Sequence, residues 1–168
     1  MTVLFDTEAG LMNDYCRFLL DHDETADTYT LRFGSDFGNL LVAHVQTSGR
    51  PVPHEASPSV LEIHIPLNNA TQSLQNKFLY LTKGDKLRLQ AALRTIFDLD
   101  FKYYLIRGLE AGFTRKDIID SFILSRGLVS NDPGDALHKR AYRGEAKSRQ
   151  KYMKYLLRKS YYIFESIK

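Results

Sequence analysis

The sequence has a single cysteine, no tryptophan and only five prolines among its 168 residues. The lone Cys16 rules out an intrachain disulfide and a cysteine-based metal cluster, and it favours a reducing compartment. The first residues have neither the basic nor the apolar region of a signal peptide. No apolar run reaches the roughly 20 residues that a membrane-spanning helix needs. We therefore expect a cytoplasmic protein without a membrane partner, in which Cys16 is a small core residue of a helix.

The sequence also lacks the short motifs of common catalytic sites. No serine lies in a nucleophile elbow, and no glycine-rich loop matches a P-loop or a dinucleotide-binding fingerprint. The triplet Asp36-Phe37-Gly38 matches a kinase motif in letters, but the other kinase motifs are missing, so we interpret it as a turn. Asp98 and Asp100 point to different sides of a predicted helix and make a poor acid–base pair. These absences predict a non-enzymatic protein with no cofactor, although a site assembled from distant residues would leave no such motif.

Histidines raise the hypothesis of a metal site. His44 and His64 are predicted to lie in strands, with Glu62 on the same face as His64, so neighbouring strands would bring zinc ligands together. Two histidines without a spacing signature are more often ordinary surface or half-buried residues. We predict no metal site.

Hydrophobic periodicity divides the chain near residue 69. Apolar and polar side chains alternate at 28–33 and 60–65, which predicts strands there. Residues 2–5 are a β-prone run and a predicted first strand, and 39–47 are predicted as the second strand of a hairpin turned by Gly34 and Gly38. A helix capped by Thr7 is predicted at about 8–21, and an irregular proline-containing loop at 48–59. Residues 1–69 are therefore predicted to form an acidic, strand-rich part made of a strand, a helix and a three-stranded antiparallel meander.

From residue 70 onward the apolar period changes from two to 3.6 residues, which indicates helices. The predicted helices cover about 71–81, 85–111, 115–125, 133–143 and 146–168. Gly112, Thr114 and Asp117 fit the end of one helix and the capped start of the next, and Asp132-Pro133 fits another helix start. The predicted fold class is α+β, in which a small antiparallel sheet with one helix precedes a basic helical part, residues 70–168, ending in a long amphipathic helix.

Charge is distributed unevenly along the chain, although the net charge is only +3. Residues 1–69 contain ten acidic and three basic side chains, whereas residues 127–168 contain ten basic and four acidic ones. Such asymmetry favours a polyanion at the C-terminal end, or the acidic face of a neighbouring subunit.

Basic residues are concentrated in the last two predicted helices. Nine side chains between positions 139 and 159 are basic, and only Glu145 is acidic. In the final helix, four of the cations recur about one turn apart and form one stripe. Like charges at that spacing repel each other; phosphate groups relieve the repulsion, and a tyrosine hydroxyl can donate to phosphate oxygens. We predict that a nucleic-acid backbone is bound by Lys139, Arg140, Arg143, Lys147, Lys151, Lys154, Tyr155 and Arg158.

Other interpretations of the basic cluster stay open. It is also compatible with an ordinary solvated helix face. Helices 115–125 and 133–143 suggest a helix-turn-helix, but their connection is longer than the usual three- or four-residue turn. The main alternative is a structural or assembly subunit of a viral particle or ring, in which the acidic part of one copy contacts the basic part of the next. That alternative implies a homo-oligomer and would place the protein in a virion.

Overall fold

The computed structural model describes residues 1–23, 28–53, 59–130 and 132–142 of the chain. Strands lie at β1 Thr2–Asp6, β2 Asp21–Asp23, β3 Thr28–Thr30, β4 Gln46–Ser48, β5 Val60–His64 and β6 Phe78–Tyr80. Helices lie at α1 Leu11–Phe18, α2 Asp36–His44, α3 Lys83–Glu110, α4 Arg115–Arg126 and α5 Pro133–Tyr142. The strands thus precede the main helices in the chain, and the predicted α+β class, with a helical C-terminal part, is confirmed.

A four-stranded sheet carries the N-terminal part, in the order β1-β5-β3-β2. β1 pairs antiparallel with β5 over its whole length, from Thr2 opposite His64 to Asp6 opposite Val60. β2 and β3 are also antiparallel, but β3 and β5 run parallel. The prediction of a wholly antiparallel meander is wrong at this last pair. The chain passes through α2 and β4 before returning as β5, and such a crossover brings a strand back in the same direction.

The first helix is shorter than predicted. It begins at Leu11, because Glu8 and Gly10 have φ angles of 66° and 80°, outside the range of a right-handed helix. Thr7 is therefore not a helix cap. Its hydroxyl instead donates a hydrogen bond of 3.0 Å to the carbonyl of Ser59, which joins the end of β1 to the start of β5.

Residues 39–47, which we predicted as a strand, fall mostly in α2. Ser35 caps this helix by accepting a hydrogen bond of 3.0 Å from a backbone amide of the first turn. Residues 36–38 form that first turn and not a turn between strands. Phe37 and Leu41, one helical turn apart, are both buried in the core. The cap and this spacing favour the helix, although the contiguous apolar residues alone fit either structure.

The helix predicted at 71–81 is also wrong. A short 3₁₀ turn covers Gln72–Leu74, and the strand β6 follows it. Between them Asn76 has a φ of 60°, which ends helical geometry. β6 pairs antiparallel with β4 in a separate two-stranded ribbon. Within the described residues, β6 is the one strand that lies beyond position 69.

α3 is the longest helix among the described residues, and the rest of the described core packs around it. It begins at Lys83 and not near residue 85, because Thr82 is its cap: the Thr82 hydroxyl oxygen accepts a hydrogen bond of 3.1 Å from the Asp85 amide. The core face of α3 presents Leu89, Leu93, Phe97 and Phe101, each buried to at least 98%. These side chains belong to one continuous hydrophobic core that also includes residues of β1, β5, α1, α2, α4 and α5. The strand-rich and helical parts are therefore packed on a shared core.

The junction between α3 and α4 follows the sequence signals closely. Gly112 has a φ of 86°, the left-handed conformation expected just after a helix end. Thr114 then caps α4, because its hydroxyl oxygen accepts a hydrogen bond of 3.2 Å from the Asp117 amide. α4 ends at Gly127, with a φ of 60°, and Leu128 is buried behind it. Glycine and threonine thus define both ends of this helix.

Candidate nucleic-acid interface

The basic region begins on α5, which packs firmly on the protein. The Asp132 side chain accepts a hydrogen bond of 3.1 Å from the Asp135 amide, so the predicted helix start at Asp132-Pro133 is confirmed. Leu137 and Ala141, one turn apart, are buried in the core. The helix is therefore held by its apolar side, and its polar side chains are left at the surface.

Lys139 lies on that surface and is held only weakly. Its ammonium group forms an ion pair of 2.5 Å with Asp135, one helical turn earlier. Both side chains are more than half exposed, at 65% and 57%. Exposed pairs of this kind contribute about 0.3–0.5 kcal/mol. Lys139 can therefore exchange Asp135 for a phosphate at little cost.

Arg140 has a different environment. Its guanidinium donates a hydrogen bond of 2.6 Å to Asp98 of α3 and lies 5.0 Å from the centre of the Phe97 ring. This side chain thus connects α5 to α3. A phosphate contact at Arg140 would have to displace Asp98 or share the guanidinium with it.

The other six predicted site residues lie outside the described residues. They are Arg143, Lys147, Lys151, Lys154, Tyr155 and Arg158. α5 leads directly into this segment, since it ends at Tyr142. The structure therefore brings Lys139 and Arg140 together at the C-terminal end of α5, beside α3.

The connection between α4 and α5 is anchored to the first helix. The backbone amides of Val129 and Ser130 donate hydrogen bonds of 2.9 and 2.7 Å to the carboxylate of Asp14 in α1. Asp14 thereby fixes the path of a connection that is longer than the turn of a typical helix-turn-helix.

A second arginine, Arg126, occupies a site that sequence reasoning missed. It holds Asp100 with two hydrogen bonds of 2.9 and 3.0 Å, and Asp100 also accepts a hydrogen bond of 3.0 Å from the Tyr15 hydroxyl. The rings around the guanidinium, 4.7–5.5 Å away, are Phe18, Tyr104 and Phe122. Burial, followed by the charge of Asp100, raises the pKa of Tyr15, and the hydrogen bond to Asp100 raises the pKa of Arg126. With two of its donors engaged by Asp100, Arg126 is a structural link between α3 and α4.

A polar cluster at the end of β1 has a structural role as well. The Asn13 amide donates hydrogen bonds to the Thr7 hydroxyl and the Ser59 carbonyl, at 2.8 and 3.2 Å. The Ser59 hydroxyl donates to Asp6 at 2.6 Å. In the part of the chain that the structure describes, every buried side-chain polar atom has a hydrogen-bond partner. This cluster is therefore internally satisfied, and it joins β1, α1 and β5.

The two histidines do not lie in neighbouring strands, as the hypothetical metal site would require. His44 lies at the end of α2 and not in a strand, and its Nδ1 is 3.5 Å from Asp85. His64 lies in β5 as predicted. Among the described residues, no group of three or more histidine, cysteine, aspartate or glutamate side chains is placed to hold a metal ion.

The ribbon of β4 and β6 brings together aromatic and basic side chains. Phe78 lies opposite Ser48, and Tyr80 lies opposite Gln46, so these four side chains share one face. Leu79 points to the other face and packs against the core. Phe78 is 48% exposed, and the adjacent Lys77 is exposed as well. This surface was not predicted, because the segment was assigned to a helix; the β-prone Phe78 and Tyr80 were the available signal.

No family model, no curated protein and no solved structure matches this chain. In the described ranges, no helix combines the length and the apolarity that crossing a membrane requires. The surface chemistry of the molecule is thus the basis for a functional proposal.

Proposed function

We propose that this protein is a non-enzymatic nucleic-acid-binding protein that contacts the phosphate backbone through its basic C-terminal region. The observation that carries the proposal is the imbalance of charge in residues 139–159, where nine basic side chains accompany a single acidic one. Each cation that contacts a phosphate releases bound counterions, and this release favours binding.

The contacts of Lys139 and Arg140 favour different roles for the first two cations of the basic region and for those that follow. Asp135 and Asp98 pair with the first two cations, Lys139 and Arg140. The next seven cations have only Glu145 within their own stretch. Because α5 is fixed to the core, it attaches that stretch to the folded protein at a defined point. We therefore assign most of the phosphate contacts to the residues after α5 and an anchoring role to Arg140.

A salt titration tests the proposal. Fluorescence anisotropy of a labelled 20-base-pair duplex would be measured against the full chain at several salt concentrations. Contacts from Lys147, Lys151, Lys154 and Arg158 alone would give a slope of log affinity on log salt of about −3.6. Replacing Lys151 and Lys154 with alanine should make that slope shallower by about 1.8 and weaken all sequences alike.

The matched control removes two positive charges elsewhere. Lys102→Ala with Lys116→Ala changes the net charge equally, at two exposed lysines of α3 and α4. We expect the control to keep a slope close to that of the parent. The proposal is contradicted if the parent binds neither DNA nor RNA at low salt. It is also contradicted if the Lys151/Lys154 variant binds as the parent does.

A second candidate function is that of an assembly subunit. On α3, Leu99 and Tyr103 are one turn apart and 43% and 59% exposed, so an apolar surface faces water on the side away from the core. The acidic N-terminal part and the basic C-terminal region would add charge complementarity between copies. Light scattering at low and high salt tests this candidate, since exposed charge pairs are screened over about 10 Å at 0.1 M salt. A monomer at high protein concentration and low salt would contradict it.

Both candidates fit a reducing compartment. The one cysteine, Cys16, is fully buried in α1, as predicted. We propose the cytoplasm for the nucleic-acid-binding function, and a virion is the location implied by the assembly function.

A further inference from the structure

We propose that the β4–β6 ribbon binds the bases of a single-stranded nucleic acid through Phe78 and Tyr80. This inference rests on the proposed function and names the form of nucleic acid that the protein prefers. It assigns base contacts to the ribbon, whereas the C-terminal region contacts phosphates.

The spacing of the two rings suits stacked bases. Phe78 and Tyr80 are alternate residues of β6, so their side chains leave the same face about 6.6 Å apart. Consecutive stacked bases are about 3.4 Å apart, so the spacing of the two rings matches two steps of a stacked strand, and the rings can contact alternate bases. In an extended strand, each ring can instead stack on a separate base. Across the ribbon, the polar side chains of Ser48 and Gln46 lie opposite the two rings. The face therefore combines two aromatic rings with polar groups.

The charge around the ribbon favours an anionic ligand. Residues 46–50 and 76–88 contain one acidic side chain, Asp85. That carboxylate is 8% exposed, accepts a hydrogen bond of 2.5 Å from the Thr82 hydroxyl and forms an ion pair of 3.4 Å with Arg88. The cations of the same two segments are Arg50, Lys77, Lys83, Lys86 and Arg88. Arg88 pairs with this acid, so the other four cations leave the two segments with a net positive charge.

The combination of rings and cations points to unpaired bases. A duplex keeps its bases stacked on each other, so it would use the cations but leave Phe78 without a partner. Stacking on an aromatic ring contributes to single-strand binding for every base type, because each base has a π-face. A peptide that extends the ribbon edge would instead use backbone groups, and it would not depend on the Phe78 ring.

A binding experiment compares the effect of one substitution on the affinities for two nucleic-acid probes. Affinities of the full chain for a labelled 15-nucleotide oligothymidine and for a 15-base-pair duplex would be measured by anisotropy. Removing one stacking ring in Phe78→Leu should weaken oligothymidine binding about 5- to 150-fold, with little change on the duplex. Phe78→Tyr keeps a ring and should bind as the parent does.

Phe113→Leu is the matched control. It removes a ring that is 61% exposed at the opposite end of α3. α3 has 28 residues, which corresponds to roughly 42 Å of helix between the two sites. Its affinity for oligothymidine should equal that of the parent. A second measurement uses the parent alone: an oligonucleotide carrying 5-iodouracil should crosslink on irradiation to the peptide that contains Phe78.

The outcomes separate this inference from the proposed function. If Phe78→Leu binds oligothymidine as the parent does and no crosslink maps to β6, the ribbon proposal is overturned. The proposed function still stands in that case, provided that Lys151→Ala with Lys154→Ala weakens both probes. If Phe78→Leu weakens oligothymidine binding while the lysine variant changes neither probe, the ribbon is the site and the C-terminal assignment falls. A parent that binds neither probe at low salt overturns both.

Discussion

Gly108 of α3 lies so close to Ile118 of α4 that a β-carbon on the glycine would be 2.5 Å from Cγ1 of the isoleucine. The same added carbon would be 2.7 Å from Cδ1. Both distances are below any van der Waals contact. The absence of a side chain at position 108 is therefore what allows α4 to turn back onto α3 directly after their junction.

We expect Gly108→Ala to destabilise the protein by about 1–3 kcal/mol, because overpacking forces side chains or backbone to move. Urea unfolding followed by circular dichroism measures the effect. Gly84→Ala is the control near the other end of α3, where the nearest atom to an added β-carbon is the Thr82 hydroxyl oxygen at 3.8 Å. That variant should be unchanged or more stable by up to about 1 kcal/mol, since alanine favours helix. Equal stability of the two variants would show that α3 and α4 accommodate the added methyl group at little cost in unfolding free energy.

The cap of α4 gives a second expectation. Thr114→Ala removes the acceptor for the Asp117 amide and should cost about 1 kcal/mol of unfolding free energy. Thr95→Ala is the matched control, because Thr95 is an exposed residue in the middle of α3. Alanine has the higher helix propensity there, so no loss is expected. A loss of the same size at both positions would contradict the capping role.

The link between Arg126 and Asp100 gives a third expectation about stability. Replacing Arg126 with leucine leaves the half-buried carboxylate of Asp100 without its two strongest donors, and we expect a loss of about 1–3 kcal/mol. In Arg107→Leu the lost pair is exposed, with 3.7 Å between Arg107 and Glu110, so the change should stay within about 0.5 kcal/mol. Chemical denaturation of both variants measures the difference. If Arg126→Leu is no worse than the control, the ion pair with Asp100 does not stabilise the packing of α4 on α3.

Asp85 should make stability depend on pH. The hydrogen bond from the Thr82 hydroxyl holds the pKa of Asp85 below its ordinary value of 3.8. The folded protein therefore binds this proton less readily than the unfolded chain. The stabilisation is present above about pH 4 and is lost as the pH falls through the lower, folded-state pKa. Thr82→Val should flatten the acid limb of a stability–pH profile, whereas Thr82→Ser, which keeps the hydroxyl, should retain it. Identical profiles would mean that the hydroxyl is not responsible.

The elements that could be predicted are those with local chemical markers. α4 is bounded by glycines and by a threonine three residues before an aspartate, and these markers act over only a few residues. β1 is a short run of β-prone residues, and β5 alternates over five residues, which a helix would not do. Local sequence was sufficient for α4, whose controlling contacts are local.

Other failures came where distant contacts decided, whereas α2 was missed although its Ser35 cap is local. Leu74, Phe78 and Leu81 have helical spacing, but pairing of β6 with β4 made that segment a strand. No sequence feature of β3 or β5 indicates that the two strands pair in parallel. In the candidate interface, the Lys139 pair with Asp135 is one helical turn long and readable from sequence. The Arg140 pair with Asp98 spans 42 residues and is not.

The pairing of β1 with β5 also governs the order in which the chain can fold on a ribosome. Thr2 cannot pair until its partner His64, about 60 residues later in the chain, has been synthesised. At a synthesis rate of about 5–20 residues per second, that interval lasts roughly 3–12 s. During it the side chains of Val3 and Phe5, both fully buried in the finished protein, have no sheet to cover them. The nascent chain is therefore most exposed to self-association before β5 emerges, and a pause in translation upstream of Val60 would lengthen that interval.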